Sequence, residues 1–472
     1  MNKILTFLVA IACFSCSTNN EKLIITTANV TALSEYNKGV EFAGLLKLDE
    51  AQTAFETAIE LDSTFAMAYL ELAMLRDDYD TRPKLIAMAM RHLDTVSEGE
   101  KLMILGKNKF YGTREGDAEY DYYKRLVALY PNDDMANYAF GFINVHHGQH
   151  MPDSAVHYLN KAIKINPRVS NYYRDLANAY LLKQDFENAE KTINAHMAFL
   201  PNHEEPKIFY AELLLMDHRY GESFKSYASV LELNPNAAWA VIGASNTLNY
   251  LGEFAKSRKF ISWLDNMPLS DYEYRHKWRA KTCSYLVEGK LDSAIVVLNQ
   301  QKEETVSGKN KREPEFHQYY AMLRATRFYF ENHQPDEGLQ SYETLKDFVI
   351  NNISRATTVE NIKKLEPYYK AYAKYLAGSL EEAGRLLESI NEKSDDEKLL
   401  IAKIAISKEA YNEAIALLKQ LDAENAYYHY WLAEAYRLNN QESAYESSLE
   451  NIKSLIEIDN LDYALVSSLL QK

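Results

Sequence analysis

The chain has 472 residues, 47% of them hydrophobic, with only 16 glycines and 11 prolines, a composition that suits a large folded body and disfavours β-rich or disordered readings. Lys and Arg number 52 against 67 Asp and Glu, a net charge of −15, which argues against broad nucleic-acid binding, since a phosphate backbone demands a basic stripe. Two of the three cysteines, Cys13 and Cys16, lie at the N-terminus and the third is Cys283, so a disulfide framework is not expected. With no His and acid pattern around it, Cys283 reads as a small buried apolar residue rather than a nucleophile.

Residues 1–16 begin Met-Asn-Lys, continue as an apolar run from Ile4 to Phe14 and end at Ser15-Cys16. That run is a signal peptide, too short for a permanent span. It resembles a bacterial lipoprotein signal, in which a cysteine follows a small residue and receives the lipid. Cys16, in its Ser-Cys-Ser setting, is the preferred site. Cys13, preceded by Ala10-Ile11-Ala12, is the alternative, and an ordinary cleaved signal peptide is the competing reading. Residues 17–30 are expected to form a polar tether. No other apolar run is long enough to span a bilayer, so a lipid would be the only membrane anchor.

The body of the chain is repetitive. Pro131, Pro167, Pro201 and Pro235 follow one another at 36, 34 and 34 residues, in similar settings: Tyr130-Pro131-Asn132, Asn166-Pro167, Leu200-Pro201-Asn202 and Asn234-Pro235-Asn236. Between them small and large residues alternate in a fixed order, as in Leu176-Ala177, Tyr180, Ala189 and Ile193, or Gly141, Ala155, Leu159 and Ala162. A 34-residue period of this kind marks two antiparallel helices per unit, which bury their shared apolar face only by stacking on neighbours. Proline ends the second helix because it lacks an N–H and restricts the residue before it.

In chain order, a first unit carries Gly39, Phe42, Ala51, Phe55 and Ala58. A degenerate unit over 66–97 is interrupted by Asp78-Tyr79-Asp80 and Arg82-Pro83, where a longer or displaced helix is expected. The unit ending at Pro131 opens at Ser97-Glu98-Gly99-Glu100, a helix-start signal. The two extra residues of the next unit fall in the turn 147–152. Units with Trp239, Gly252 and Ile261, and with Trp278, Tyr285 and Gly289, follow. The polar stretch 301–314 reads as a linker between an N-terminal array, 31–300, and a C-terminal array, 315–472, and 350–363 as a second irregular segment. The tail from Asp459 is expected to form a capping helix, giving eleven or twelve helix pairs and no sheet.

These motifs resemble tetratricopeptide repeats, and with the N-terminal segment they resemble tetratricopeptide lipoproteins of the Bacteroidetes type. Tyr210-Ala211-Glu212-Leu213-Leu214-Leu215 with Arg219-Tyr220-Gly221-Glu222-Ser223 carries that likeness most clearly. The resemblance implies an all-α fold, a right-handed superhelix (α-solenoid) of stacked helix pairs. It also implies a protein or peptide partner and a place in the cell envelope, at the outer membrane since Ser17 rather than Asp follows Cys16. The alternative is a glycan- or nutrient-capture lipoprotein of the SusD class. Against it, regular repeats leave no large insert in which to build a sugar site.

Candidate chemistry is sparse. His146, His147 and His150, with His157 nearby, could ligate a metal, but they occupy a turn and its approach and read as solvated polar residues. Tyrosine pairs such as Tyr172-Tyr173 and Tyr427-Tyr428 read mainly as packing. No phosphate loop, GxSxG elbow or HExxH helix occurs, so no catalytic residue, metal or cofactor is assigned. In such repeats the first helix of each unit lines the concave side, and residues three and seven apart share a face. That register nominates Met135, Tyr138 and Phe142, then Asn171, Arg174 and Asn178, then Glu205 and Glu212, then Trp239 and Asn246, and finally Tyr427, Tyr430 and Arg437 as a partner-binding wall of aromatics, amides and charges.

Overall fold

Each of the four prolines stands two residues beyond the end of a helix, after Leu129, Ile165, Phe199 and Leu233. The preceding residues Asn166 and Asn234 are extended, with φ near −137° and −136°, as a following proline requires. The computed structural model describes residues 22–76, 81–113, 118–146, 151–306, 314–455 and 460–470, and among them every regular element is helical. The chain divides into two units, Met1–Phe209 and Tyr210–Lys472.

The N-terminal unit pairs α1 (Val30–Gly44) with α2 (Leu48–Leu61), α3 (Ala66–Met74) with α4 (Thr81–Met90), α5 (Glu98–Lys107) with α6 (Ala118–Leu129), α7 (Asp134–His146) with α8 (Pro152–Ile165), and α9 (Ser170–Leu182) with α10 (Phe186–Phe199). Helix α11 (Glu204–Met216) carries the division between the units. Small residues sit where helices touch: a Cβ on Gly141 would lie 2.7 Å from the Leu159 side chain, and Ala177, Ala189 and Ile193 are fully buried. Ser97 caps α5 in a reciprocal capping box with Glu100, as its sequence predicts. The degenerate stretch after residue 66 forms two short helices, α3 and α4, rather than a longer one. Pro83 stands in the first turn of α4, where its missing N–H costs nothing. Asp78-Tyr79-Asp80 lies outside the described residues.

The C-terminal unit continues with α12 (Tyr220–Leu233), α13 (Ala238–Tyr250), α14 (Phe254–Ile261), α15 (Asp271–Leu286), α16 (Leu291–Val306), α17 (Pro314–Glu331) and α18 (Pro335–Asn352). Then come α19 (Ala356–Lys364), α20 (Glu366–Leu376), α21 (Leu380–Glu388), α22 (Asp395–Ser407), α23 (Tyr411–Leu418), α24 (Ala426–Leu438), α25 (Glu442–Ser454) and α26 (Leu461–Leu469). Residues 301–306, expected in a linker, extend α16, because Ala294, Leu298 and Gln301 fall on one buried stripe. The division between units lies at Phe209 and Tyr210, and the rest of the expected linker, 307–313, lies outside the described residues. The segment 350–363 is also largely helical. Helix α19 is inserted between pairs and held by Tyr342, whose hydroxyl donates to the Ile362 carbonyl at 2.8 Å. The tail expected to form a capping helix folds as α26, which packs on α24 of the last pair and on α15.

Among the described residues, nine turns between the two helices of a pair share one device. At Leu46, Gln184, His218, Gly252, Gly289, His333, Gly378, Glu409 and Asn440 the backbone is left-handed, with φ between 55° and 76°. The next N–H reaches back to close the first helix, as in Asp185 to Tyr180 at 2.9 Å and Glu253 to Leu248 at 2.9 Å. This is the Schellman closure, which satisfies orphan carbonyls at a helix end.

Residues 22–29, part of the stretch read from sequence as a polar tether, are bound down. The Leu23 N–H donates to Asp133 at 2.9 Å, the Thr26 N–H and hydroxyl donate to Glu100 at 2.7 and 2.6 Å, and the Thr27 hydroxyl donates to Asp62 at 2.6 Å. Carboxylates at successive repeat junctions offer acceptors, and this segment satisfies them with its donors.

Candidate functional site

In the N-terminal unit the first helices α7 and α9 bring several nominated residues together. The Tyr138 ring lies 5.9 Å from Phe142 on its own helix and 4.7 Å from Tyr172 on α9. Its hydroxyl donates to Oδ2 of Asp175 at 2.9 Å. Asp175, which the sequence register did not nominate, is 0% exposed. Its Oδ1 lies 3.1 Å from His146 Nε2 and 3.7 Å from Arg174 Nε. Burial alone would raise the Asp175 pKa. The hydrogen bond from His146, the charges of Arg174 and His146, and the Tyr138 hydroxyl outweigh burial and hold the carboxyl below its usual value. His146 Nε2 faces this carboxylate; His147 and His150 lie outside the described residues, and His157 packs edge-on against Tyr158.

The strip extends in both directions along the first helices. Arg174 reaches Glu205 of α11 at 3.4 Å. On the other side Lys107, at the end of α5, lies 4.8 Å from the Phe142 ring centroid and 5.5 Å from that of Tyr111, and Arg82 stacks on Tyr111 at 4.8 Å. Burial pushes the Lys107 ammonium down, opposed by the Glu71 and Asp175 charges, and pushes the Glu71 carboxyl up, opposed by Lys107. The result is a run of opposed charges on either side of two rings: Glu71, Lys107, Phe142, Tyr138, Asp175, Arg174 and Glu205. Phe142 is nearly enclosed and serves as a floor. Met135 packs against the core. Asn171 and Asn178, on the Arg174 face, are half-buried.

The nominated residues of the C-terminal unit separate. Trp239 is half-buried against Tyr272 and His276, at 5.3 and 4.9 Å. Glu212 is half-buried on α11. Tyr430 packs on Trp431 at 5.6 Å, and Arg437 is exposed and ion-paired with Glu434 at 2.7 Å. Two nominations are corrected. Asn246 and Tyr427 are each only 1% exposed, so neither belongs to an open wall. Tyr427 is drawn inward by charge. Its hydroxyl donates to Glu331 and accepts from Lys403 Nζ at 2.9 Å, while Lys403 also donates to Tyr372 at 2.8 Å. Burial raises the Glu331 pKa, but the Lys403 and Arg327 charges prevail and keep it low. Arg327 in turn binds Asp462 of α26 at 2.6 Å. No local spacing foretells this knot, since its members come from α17, α20, α22, α24 and α26. Cys13 and Cys16 lie outside the described residues.

No family model matches the chain, and no curated protein matches it. Among solved structures it is similar to a tetratricopeptide repeat protein from Parabacteroides merdae, at 15% identity and a TM-score of 0.36 over 61% of this chain and 99% of that one. It is also similar to YrrB, described as a tetratricopeptide protein with an unusual peptide-binding site, at 21% identity and a TM-score of 0.23 over 36% of this chain and 88% of that one. A third is the Thermus thermophilus tetratricopeptide protein TTC0263, at 20% identity and a TM-score of 0.27 over 46% and 98%.

Proposed function

We propose that this protein is an interaction scaffold of the cell envelope that holds a segment of a protein or peptide partner on the first-helix face of α7 and α9, without chemistry of its own. The observation that carries this reading is the matched strip around Asp175. Its charges are already paired within the protein, so the face is rigid and loses little entropy on binding. Beside it stand the half-buried carboxamides of Asn171 and Asn178, which can donate to and accept from a peptide backbone. Placing a photo-crosslinking residue at Asn178 tests it, with exposed Lys191 on α10 as the control. Adducts from position 178, absent from position 191 and diminished by Asn171→Ala at unchanged melting temperature, are expected. Equal adducts from both positions, or none from 178, would refute the reading.

The envelope location rests on the Ser15-Cys16 motif that ends the apolar run. A lipid on Cys16 holds the protein at the outer membrane in this reading. Cys16→Ala then releases it from membranes. If Cys13→Ala instead abolishes acylation, the lipid belongs on Cys13.

A further inference from the structure

Asn246 sits on the third turn of α13 with both polar atoms of its side chain, Nδ2 and Oδ1, buried and without a hydrogen-bond partner. Oδ1 of Asn249, one turn on along the same helix face, is in the same condition. A buried donor or acceptor left unmade costs about 1–3 kcal/mol. Two such residues side by side, inside one unit, ask for an occupant.

Both residues open on a cavity of about 120 Å³ between α13, α15 and α26. Tyr250 and Tyr463, with ring centroids 6.0 Å apart, and the side chains of Cys283 and Ala464 contribute to its wall. No charged side chain lines it. The unmatched atoms specify the ligand: one donor, Asn246 Nδ2, and two acceptors, Oδ1 of Asn246 and Oδ1 of Asn249. A primary carboxamide carries the complement, one carbonyl oxygen and two N–H groups. A carboxylate would set its oxygens against the two acceptors. An ammonium would enter without a counter-charge and leave Nδ2 unmatched, and burying an unpaired charge is costly.

We infer that this cavity binds an uncharged primary carboxamide, free in solution or at the tip of a glutamine or asparagine side chain. The volume suits a group of side-chain size rather than a length of peptide, and α26 forms one wall of the site. The inference does not depend on the reading of α7 and α9.

Cys283 lines the cavity and reports on it directly. The full-length protein is treated with a thiol reagent, and modification of Cys283 is followed by mass spectrometry. Three probes are compared: N-acetylglutaminamide, its glutamate counterpart, and a blocked pentapeptide with a central glutamine. An amide probe at about ten times its dissociation constant should slow Cys283 modification about tenfold. The glutamate counterpart should not protect. Protection by the small amide assigns a free ligand, and protection by the pentapeptide alone assigns a side chain. Asn246→Leu should abolish protection. Ala464→Leu, which fills the cavity from α26 and leaves Asn246 in place, should do the same. If neither amide probe protects, water alone fills the cavity and the proposal fails. It fails equally if the glutamate counterpart protects as well, or if both variants remain protected.

Discussion

The Tyr138 hydroxyl donates to Asp175 across 2.9 Å, tying α7 to α9 at a carboxylate that solvent does not reach. Tyr138→Phe removes that donor and leaves the ring packing in place. A hydrogen bond to a charged group contributes about 1.5–3 kcal/mol, so a loss of that order is expected in chemical denaturation. Asp175→Ala should cost more, since it removes the acceptor shared by Tyr138 and His146 and leaves Arg174 only Glu205. Unchanged stability in both variants would show that the strip is not held by this carboxylate.

His196 supplies a pH test. It is buried, its Nε2 is paired with the Ser170 hydroxyl at 2.7 Å, and its ring stacks on Tyr173 at 5.6 Å. Burial first, and then the Arg174 and His203 charges, lower its pKa from 6.5 to about 4. The unfolded chain therefore binds a proton that the folded chain refuses between those values. Its contribution is present in full above pH 6.5 and is lost as pH falls towards 4, by about 3 kcal/mol in total. Asp175, whose pKa is lowered from 3.8, loses its contribution only at lower pH still. Denaturation of the wild type and of His196→Asn at pH 7 and pH 4.5 should show a smaller pH dependence in the variant. Equal slopes would place the titration elsewhere.

The left-handed turn residues divide into those suited to their conformation and those that are not. Gly252 has φ of 75° and nothing within 4 Å of the position a Cβ would take, so the backbone alone penalises a side chain there. Gly252→Ala should destabilise by about 1–2 kcal/mol. Gln184 holds φ of 56° with a side chain, and Gln184→Gly should be neutral or mildly stabilising. Thermal melting of the two variants in opposite directions is the expected outcome.

Glu100 both completes the capping box of α5 and receives Thr26. Glu100→Ala should cost about 2–3 kcal/mol, as a lost cap plus a lost charge-assisted hydrogen bond. It should also open residues 22–29 to proteolysis. Cleavage in that stretch at the wild-type rate would show that the segment is held by its other contacts.

What could be read in the sequence was whatever depends on local spacing. Pro167 and Pro201 end helices because of their own chemistry, and Gly141 and Ala177 are small because the neighbouring helix leaves no room. Tyr138 and Arg174 were legible as first-helix residues from spacing alone. Asp175 was not, because an acid within a helix reads as solvent-facing, and the groups that justify its burial stand 29 and 37 residues away. Tyr427 was misplaced for the same reason: its partner Glu331 is 96 residues distant. The segment 301–306 misled by its polarity, which masked the single buried stripe that continues α16.

The bound-down segment at 22–29 sets a leash. Seven residue steps separate Cys16 from Leu23, and a chain reaches at most about 3.3–3.6 Å per residue, so roughly 25 Å in all. With a lipid on Cys16, the anchoring point at Asp133, which holds Leu23, is confined to a shell beside the headgroups no deeper than one bilayer is thick, while Glu100 and Asp62 are reached only through the longer stretches to Thr26 and Thr27. A partner reaching the N-terminal unit would then meet it at the membrane surface, and lengthening the stretch before Leu23 would be the direct way to change that distance.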